Sequence, residues 1–460
     1  AQLHRLLGHP GDRVRDPRAA LAAGGDIDRD GIQIQRNVSI IAIVGEGMRR
    51  STGVSGKLFT ALGKNGINVI ATAQGSSELN ISVVIQKNDL SKALNAIHGV
   101  FFQSEVRTLN LFVVGTGLIG STFLKQLAAQ SDYLAKEKLL KVNVVGLARS
   151  KKMWLNPEGI SLQNWQEELD ENGKTTSLSA FVQRIREFNL PNSVFIDCTS
   201  DKDIIQYYFP LLDASVSVVT PNKVANSSSY AEYRRLQQTA VRKGVKFLYE
   251  TNVGAGLPII NTIQGLMSSG DKFVKIEAIL SGTLSFIFNS FVEGTRFVDI
   301  VGEAKEKGYT EPDPRDDLSG LDVARKILIL ARETGIALEM SDIQIAPILP
   351  ENCLQAPTVD AFFKEVEGSD AYFANLLNEA VAKGEKLRYI ATLENGKATL
   401  QLRTVDADHP FYSLSGADNI VSFTTERYNT RPLVVKGPGA GAEVTAAGVF
   451  AEVISIGEWM

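Results

Sequence analysis

The stretch Leu109-Asn-Leu-Phe-Val-Val-Gly-Thr-Gly-Leu-Ile-Gly120 runs from an apolar segment into a glycine turn. The apolar half is typical of a buried strand in a parallel sheet, and the residues from Ser121 to Gln130 have helical spacing. A strand, a G-x-G-x-x-G turn and a helix in this order are typical of a doubly wound α/β fold that rests a pyrophosphate on the helix N-terminus. We therefore predict dinucleotide contacts at Gly115, Gly117, Leu118, Ile119 and Gly120.

The turn after the next apolar strand, Val142–Ala148, predicts the type of dinucleotide. An acid there would bond the ribose hydroxyls of NAD, whereas Arg149 favours the extra phosphate of NADP. NADP is the expected cofactor and NAD the alternative, although a basic turn is also often plain surface. Two later strands end in Thr199-Ser200 and Thr220-Pro-Asn-Lys223, which places Thr199, Ser200 and Lys223 at the ligand-binding edge of the sheet.

A second polar stretch, Gly308-Tyr-Thr-Glu-Pro-Asp-Pro-Arg-Asp-Asp-Leu-Ser-Gly-Leu-Asp-Val-Ala-Arg-Lys326, gathers carboxylates beside cations. We predict an extended first half, because Pro312 and Pro314 remove backbone donors, and then a helix capped by Ser319. Asp322 and Lys326 share a face of that helix. Rigid acids suit a ligand with an amino group, and a lysine can move a proton. The same pattern is more often a solvated loop with weak surface ion pairs.

Two glycine-rich stretches follow the predicted sheet strands. Tyr249-Glu-Thr-Asn-Val-Gly-Ala-Gly-Leu-Pro258 offers a carboxylate and free carbonyls, the oxygen donors that sodium or potassium takes, although the spacing alone favours a turn without an ion. Pro432-Leu-Val-Val-Lys-Gly-Pro-Gly-Ala-Gly441 reads as a strand and a turn that open a closing helix at Glu443. We expect this strand and helix to return to the nucleotide domain.

Composition limits the classes of partner and compartment. The chain has 460 residues, 44% of them hydrophobic, and a formal net charge of −4, which calls for neither nucleic acid nor an anionic membrane. No apolar run reaches membrane-spanning length. Cys198 and Cys353 lie in apolar stretches, which fits a reducing, cytoplasmic compartment without disulfides, and the scattered histidines form no zinc pattern. We interpret residues 1–36 as a poorly ordered leader or truncated segment.

The motifs GTGLIG, DCTS, TPNK, ETNVGAGLP, LSGT, GYTEPDPRDDLSGLDVARK and KGPGAGAEVTAAGVFA, in this order over residues 109–460, closely resemble the homoserine dehydrogenase family. Upstream, the predicted order β-α-β-β-α indicates a ferredoxin-like sandwich. Its segments Gly47–Ser55 and Asn65–Ile70 resemble an ACT domain. The joint match is to bifunctional aspartate kinase–homoserine dehydrogenases without the kinase catalytic domain, so no kinase activity is expected of this chain.

The resemblance implies an α/β architecture of three parts. These are an ACT domain (37–107), a Rossmann-type NAD(P)-binding domain (108–222 and 432–460), and an α+β substrate-binding and dimerisation domain (223–431). It also implies NAD(P)H-dependent reduction of L-aspartate 4-semialdehyde to L-homoserine, on the route to threonine and methionine. A homodimer or higher homo-oligomer is expected.

The resemblance also assigns roles to residues. Lys223 and Lys326 flank the reacting oxygen, with Lys223 the favoured proton donor and Lys326 orienting it or sharing the role. Asp322 positions Lys326 or polarises a water. The remaining assignments are Glu311, Asp317 and Thr283 for the substrate, Glu250, Val253, Ala255 and Leu257 for a monovalent cation, Gly439 and Glu443 for a late cofactor contact, and Asn68 and Gln74 for a threonine effector.

Three alternatives remain open from the sequence. The ACT-like unit could serve only to pair subunits. The chain could be a regulatory binding protein that uses a degenerate dehydrogenase fold as a scaffold, although the intact lysines and carboxylates argue against this. It could also reduce another amino-acid aldehyde, since an acidic loop that grips an ammonium does not fix the length of the substrate.

Overall fold

The computed structural model describes residues 35–49, 51–101 and 106–459. The sheets of this part of the chain divide it into an N-terminal unit, a nucleotide-binding unit and a larger C-terminal unit. Residues 1–34 of the predicted leader lie outside the described residues.

The N-terminal unit packs two helices on one antiparallel sheet of order β1-β3-β2. Its elements are β1 (Val38–Val44), α1 (Val54–Lys64), β2 (Ala71–Gln74), β3 (Asn80–Gln86) and α2 (Leu90–Phe101). Leu58 and Leu62, one helical turn apart, are fully buried against the sheet. The apolar pattern of residues 55–65 predicts that Phe59 faces inward too, but it lies on the adjacent face and is 39% exposed. Strand β2 is shorter than predicted and fully exposed at the sheet edge.

The nucleotide-binding unit is built on a sheet of order β10-β9-β8-β4-β5-β6-β7, in which β10 to β5 pair in parallel. Its elements are β4 (Arg107–Val114), α3 (Leu118–Glu137), β5 (Leu140–Ala148), β6 (Lys152–Leu155), α4 (Trp165–Asn172), β7 (Lys174–Thr175), α5 (Leu178–Phe188), β8 (Ser193–Asp197), α6 (Tyr208–Asp213), β9 (Ser217–Val219), α7 (Tyr230–Lys243) and β10 (Phe247–Leu248). Residues 153–180, which the sequence pattern predicts to be an insertion in this fold, extend the sheet through the antiparallel strands β6 and β7.

The C-terminal unit covers a mixed sheet of order β12-β14-β13-β11-β15-β16 with helices. Its elements are α8 (Ile260–Ser268), β11 (Phe273–Ile279), α9 (Gly282–Ser290), α10 (Phe297–Glu306), α11 (Pro314–Leu318), α12 (Leu321–Glu333), β12 (Gln344–Ile345), α13 (Glu351–Leu354), α14 (Val359–Gly368), α15 (Asp370–Ala382), β13 (Lys386–Glu394), β14 (Lys397–Val405), β15 (Asp418–Thr425) and β16 (Leu433–Pro438). The sequence pattern predicts a helix over residues 367–383, and the structure has it as α15, which Ser369 separates from α14.

Strand pairing moves both predicted boundaries of the nucleotide unit. Strand β10 pairs in parallel with β9, so this sheet continues past the predicted limit at residue 222. Strand β16 pairs with β15 in the C-terminal sheet, so the predicted return of residues 432–460 begins only with the closing helix α16 (Ala442–Trp459). That helix packs on α3, and its Ala446, Val449 and Val453 are fully buried.

The polar stretch 308–326 is more helical than predicted. Pro314 begins the short helix α11, since its fixed φ suits the first helical position, and the Asp313 carboxylate accepts the Arg315 N–H at 3.0 Å. Gly320, at φ +74°, directly precedes helix α12, and the predicted capping residue Ser319 accepts the Leu321 N–H at 3.2 Å. The helical spacing of Leu321, Ile327 and Leu328 predicts that all three are buried, but Leu321 is exposed and only the other two are fully buried. None of the helices in the described ranges has the length and apolar character that a membrane span needs.

Candidate active site

The glycine turn after β4 leaves room for a ligand at the start of α3. Gly115 has φ +90°, and a Cβ there would lie 2.7 Å from the carbonyl carbon of Cys198. A Cβ on Gly120 would run into the carbonyl oxygen of Gly115, whereas Gly117 has open space around it. The buried Thr116 hydroxyl has no hydrogen-bond partner among the described residues. These features fit a pyrophosphate at this helix N-terminus.

Arg149 follows β5 at the same edge of the sheet, as predicted, but its guanidinium is already paired with the Asp170 carboxylate from α4. The Lys152 ammonium lies 3.2 Å from the same carboxylate. A nucleotide phosphate would therefore have to compete with Asp170 for this basic turn. Asp170 lies 21 residues after Arg149, so no local sequence pattern indicates this pair.

Asp197, at the carboxyl end of β8, is fully buried and organises the loops that follow β8 and β9. Its carboxylate accepts hydrogen bonds from the Thr199 N–H at 2.7 Å, the Tyr208 hydroxyl at 2.5 Å and the Asn222 Nδ2 at 3.2 Å. Burial raises the pKa of Asp197, and these hydrogen bonds oppose that shift. Asn222 directly precedes Lys223, so this network helps to set the position of that lysine. A buried acid has to be hydrogen-bonded. The position of Asp197 inside an apolar strand is therefore the feature of the sequence that could have predicted this network.

The predicted catalytic residues come together where the nucleotide-binding unit meets α12. The Asp322 carboxylate lies 3.5 Å from the Nζ of Lys223 and 2.7 Å from the Nζ of Lys326. Lys326 is buried and also donates to the Leu280 carbonyl at 2.6 Å. Lys223 is partly exposed and has the looser contact, so it is the more available of the two ammonium groups.

The charges of this cluster shift the pKa values of its members. Burial lowers the pKa of Lys223, and the neighbouring Lys326 and Arg325 lower it further, while Asp322 opposes them. Burial would raise the pKa of Asp322, but the two lysines outweigh it and lower that pKa to about 2. Asp322 is therefore ionised at neutral pH, beside a lysine that gives up its proton more readily than a free lysine does.

The predicted substrate residues also lie together, but Asp317 holds the loop as well. Its carboxylate accepts the Thr283 hydroxyl at 3.0 Å and the Glu311 N–H at 2.8 Å. Burial raises the pKa of Asp317, and the charges of Asp322 and Asp316 add to that shift. The Glu311 side chain is exposed. The acidic loop thus has a carboxylate near the lysine cluster, and it is anchored to the start of α9.

Glu250 has a structural role that the sequence analysis did not predict. Its carboxylate accepts the N–H groups of Ile259 and Ile260, both at 2.7 Å, and of Asn261 at 2.8 Å, so it caps α8 from outside. Burial raises its pKa, and these N–H groups oppose the shift. Its own N–H donates to Glu452 of the closing helix at 2.6 Å. Oε1 accepts two of these N–H groups and Oε2 accepts one, so a single lone pair on Oε2 is the most that the Glu250 carboxylate offers a cation.

The rest of the predicted cation loop packs against the closing helix. A Cβ on Gly256, between Ala255 and Leu257, would lie 2.5 Å from the Val444 carbonyl oxygen. Across the described ranges, no group of three or more His, Cys, Asp or Glu side chains is arranged to hold a metal ion.

The glycine turn that contains Gly439 leads into the closing helix, which packs on α3. The Glu443 carboxylate accepts the Gln126 amide of α3 at 3.0 Å, which ties the closing helix to the helix of the first glycine turn. Gly439 packs against Asn419, whose buried side-chain amide has no hydrogen-bond partner among the described residues. Thr199 and Ser200 lie at the carboxyl edge of the nucleotide-binding sheet, as predicted. The Thr199 side chain packs so closely on Gly115 that a Cβ there would collide with it.

The predicted effector residues lie elsewhere. Asn68 and Gln74 are exposed residues of the N-terminal unit and are not part of the lysine cluster. This unit contacts the nucleotide-binding unit through Asn65, whose side chain accepts the Asn192 N–H at 3.2 Å.

Comparison with known families matches three consecutive parts of the chain. Residues 41–101 match the ACT domain, residues 115–250 the homoserine dehydrogenase NAD-binding domain, and residues 258–454 the homoserine dehydrogenase domain. These matches confirm the predicted α/β class with an ACT unit, a Rossmann-type unit and an α+β unit.

The relatives with similar sequences include two kinds of protein. The bifunctional aspartokinase/homoserine dehydrogenase 2, chloroplastic, of Arabidopsis thaliana is 45% identical over 93% of this chain, which spans 47% of that relative. The homoserine dehydrogenase of Schizosaccharomyces pombe is 39% identical over 76% of this chain and 95% of its own length. The chain thus spans about half the length of the bifunctional relatives and nearly all of the monofunctional one.

Solved structures have the same fold. A Candida auris protein of unknown function is 35% identical, with a TM-score of 0.71 over 76% of this chain and 98% of that one. A hyperthermophilic archaeal homoserine dehydrogenase in complex with NADPH is 21% identical, with a TM-score of 0.59 over 77% of this chain and 99% of that one, and shows likeness of fold alone. On its sequence match to a nearly full-length relative, the chain belongs to the homoserine dehydrogenase family of NAD(P)-binding oxidoreductases.

Proposed function

We propose that this chain catalyses the NADPH-dependent reduction of L-aspartate 4-semialdehyde to L-homoserine, in the biosynthesis of threonine and methionine. The observation that carries the proposal is the cluster of Lys223, Asp322 and Lys326 between the nucleotide-binding edge and the anchored acidic loop. A bound nicotinamide would supply the reducing equivalent. The protein's own task is then to hold the aldehyde and deliver a proton to its oxygen.

Lys223 is the proton donor in this proposal. It is the more exposed of the two lysines, and burial beside Lys326 lowers its pKa, which makes proton release easier. Lys326 donates to both Asp322 and the Leu280 carbonyl, so it is better placed to orient the cluster than to release a proton. Asp322 keeps both ammonium groups in position.

The amino end of the substrate is assigned to the acidic loop. Asp317 uses one hydrogen bond on each carboxylate oxygen and has a further lone pair on each for an ammonium. Thr283 fixes its orientation, and the exposed Glu311 carboxylate is free to turn toward a ligand. This arrangement supports an amino-acid aldehyde as the substrate.

The fit of the glycine turn supports a dinucleotide, and Arg149 supports NADP over NAD. The archaeal homoserine dehydrogenase of similar fold was solved with NADPH. The proposal also includes a monovalent cation at Glu250, Val253, Ala255 and Leu257, for which Glu250 has one lone pair left after capping α8.

Regulation and assembly complete the proposal. Threonine binding at Asn68 and Gln74 is supported by the exposure of β2 at the edge of the ACT sheet, and a homodimer or larger homo-oligomer is expected. Cytoplasmic residence is supported by the free thiols of Cys198 and Cys353.

The test is the disappearance of nicotinamide absorbance with the semialdehyde as substrate, using NADPH and NADH in parallel, with and without L-threonine. The proposal expects turnover with NADPH and its suppression by threonine. Turnover that ignores threonine would remove the effector assignment and leave the enzyme. Folded protein that binds threonine but turns over neither nucleotide would favour a regulatory binding protein.

A further inference from the structure

A polar cleft of about 690 Å³ lies between the N-terminal unit and the nucleotide-binding unit. Asp89 and Lys92 of the N-terminal unit line one wall, and Arg186, Asn189 and Ser193 line the other. The Asn189 side chain donates to the Asp89 carboxylate at 3.3 Å, so the walls already touch at one point. The volume is in the usual range for small-molecule sites.

The cleft is separate from the candidate active site. Ser193 is the first residue of β8 and Val216 directly precedes β9, so both mark the amino edge of the parallel strands. Lys223 and the glycine turn lie at the opposite, carboxyl edge. A ligand in the cleft would therefore contact both units without occupying the cofactor or substrate positions.

Lys92 is the unusual group in this cleft. Its side chain lines the cleft, the residue is only 6% exposed, and no hydrogen bond or ion pair reaches its ammonium from any residue that the structure describes. Burial lowers its pKa to about 8, with the Asp89 charge opposing this shift. The Lys92 ammonium borders the cleft without a hydrogen-bond or ion-pair partner among the described residues, and an anion in the cleft would supply that partner.

The cleft lining has an excess of one positive charge, since four cations (Lys92, Arg186, Arg242 and Lys243) stand against three carboxylates (Asp89, Glu187 and Asp213). Asp213 is shared by Lys243 at 3.1 Å and Arg242 at 3.7 Å, and Glu187 is taken by Arg184. Arg186, at the exposed rim, has no ion pair among the described residues. Lys92 also lies in the first turn of α2, where the helix dipole favours negative charge.

We propose that this cleft binds a small anion with a carboxylate or phosphate group, held by the Lys92 ammonium and assisted by Arg186 at the rim. The inference goes beyond the proposed function, since it requires neither the cofactor nor the lysine cluster. A bound anion would bridge the two units and stabilise their contact.

The experiment is calorimetric titration of the full chain with inorganic phosphate and, separately, with succinate, at constant ionic strength. Lys92→Met keeps the length and apolar stem of the side chain and removes its charge. It should weaken binding of the preferred probe by about tenfold or more, the usual size of a charge-assisted hydrogen bond. Lys87→Met, an exposed lysine just before the same helix and outside the cleft lining, is the matched control and should bind as the unaltered chain does.

Hydrogen exchange with the preferred probe shows where it binds. Slower exchange in residues 88–92 and 189–193 is expected, and protection confined to the glycine turn at residues 115–120 would overturn the proposal. Preference for phosphate or for succinate identifies the type of anion. No binding of either probe to the unaltered chain, or equal binding by Lys92→Met, would also overturn it. If Lys92→Met does not fold, Arg186→Ala replaces it, and unchanged binding by that variant is contrary evidence.

Discussion

The variant Asp322→Asn tests whether Lys223 is the proton donor. It removes the negative charge that lies 3.5 Å from the Nζ of Lys223 and 2.7 Å from the Nζ of Lys326. At the longer separation, the Coulomb interaction is about 1 kcal/mol in a water-like medium and about 5 kcal/mol at the effective dielectric of a protein surface. The Asp322 side chain is 46% exposed. Solvent screening therefore places the loss near the low end, about 1–2 kcal/mol.

That loss favours neutral Lys223, because the carboxylate is what opposes the lowering of its pKa. The ratio of protonated to neutral Lys223 should fall by a factor of about 5–30. Reduction requires the protonated form, so the high-pH limb of the kcat profile should move to lower pH. Lys326→Met removes a neighbouring positive charge and should move the same limb to higher pH.

The assay is the pH dependence of kcat with saturating NADPH and semialdehyde. Asp316→Asn, which changes an exposed acid in the neighbouring helix α11, is the matched control and should leave the limb in place. If both cluster variants fold and bind NADPH but move the limb in the same direction, Lys223 is not the proton donor. Abolished turnover in Lys326→Met alone would transfer that role to Lys326.

Three further predictions concern the cofactor edge. Gly120→Ala should lower the Tm and abolish NADPH binding, because the added Cβ collides with backbone. Gly117→Ala should fold normally and only weaken NADPH binding, because that position has open space. Equal losses of Tm in thermal scans of the two variants would contradict this. Arg149→Ala should raise the KM for NADPH by about tenfold and leave that for NADH unchanged; an unchanged ratio of the two KM values would restrict Arg149 to its structural ion pair. Tyr208→Phe removes a hydrogen bond to the buried Asp197 and should lower the free energy of unfolding by about 1–3 kcal/mol in urea titrations, and no measurable loss would contradict this.

The parts of the fold that sequence could predict depend on local patterns. The strand, glycine turn and helix around Gly115 are contiguous, and their spacing alone predicts both the elements and the ligand type. The pairing of Asp322 with Lys326 follows from helical geometry within one turn. Neither prediction needs to know what packs against the segment.

The parts that sequence could not predict depend on distant partners. Glu250 offers the oxygen donors of a cation site, but residues 259–261 use them to begin a helix. Arg149 looks free in the sequence until Asp170, across an inserted segment, pairs with it. Strand β16 has the pattern of a nucleotide-sheet strand, and only its pairing with β15 assigns it to the C-terminal sheet. In each case the decisive contact is with another segment of the chain.

The measurement that tests the central claim most directly is the turnover of Lys223→Ala with saturating NADPH and L-aspartate 4-semialdehyde, beside a fluorescence titration of NADPH with the same protein. The account predicts a loss of turnover of about 10²–10⁴-fold, the usual contribution of a positioned acid, with a nearly unchanged Kd for NADPH. Turnover within about threefold of the unaltered chain would contradict the account, because general-acid catalysis by Lys223 would then contribute far less to the rate than a positioned acid usually does.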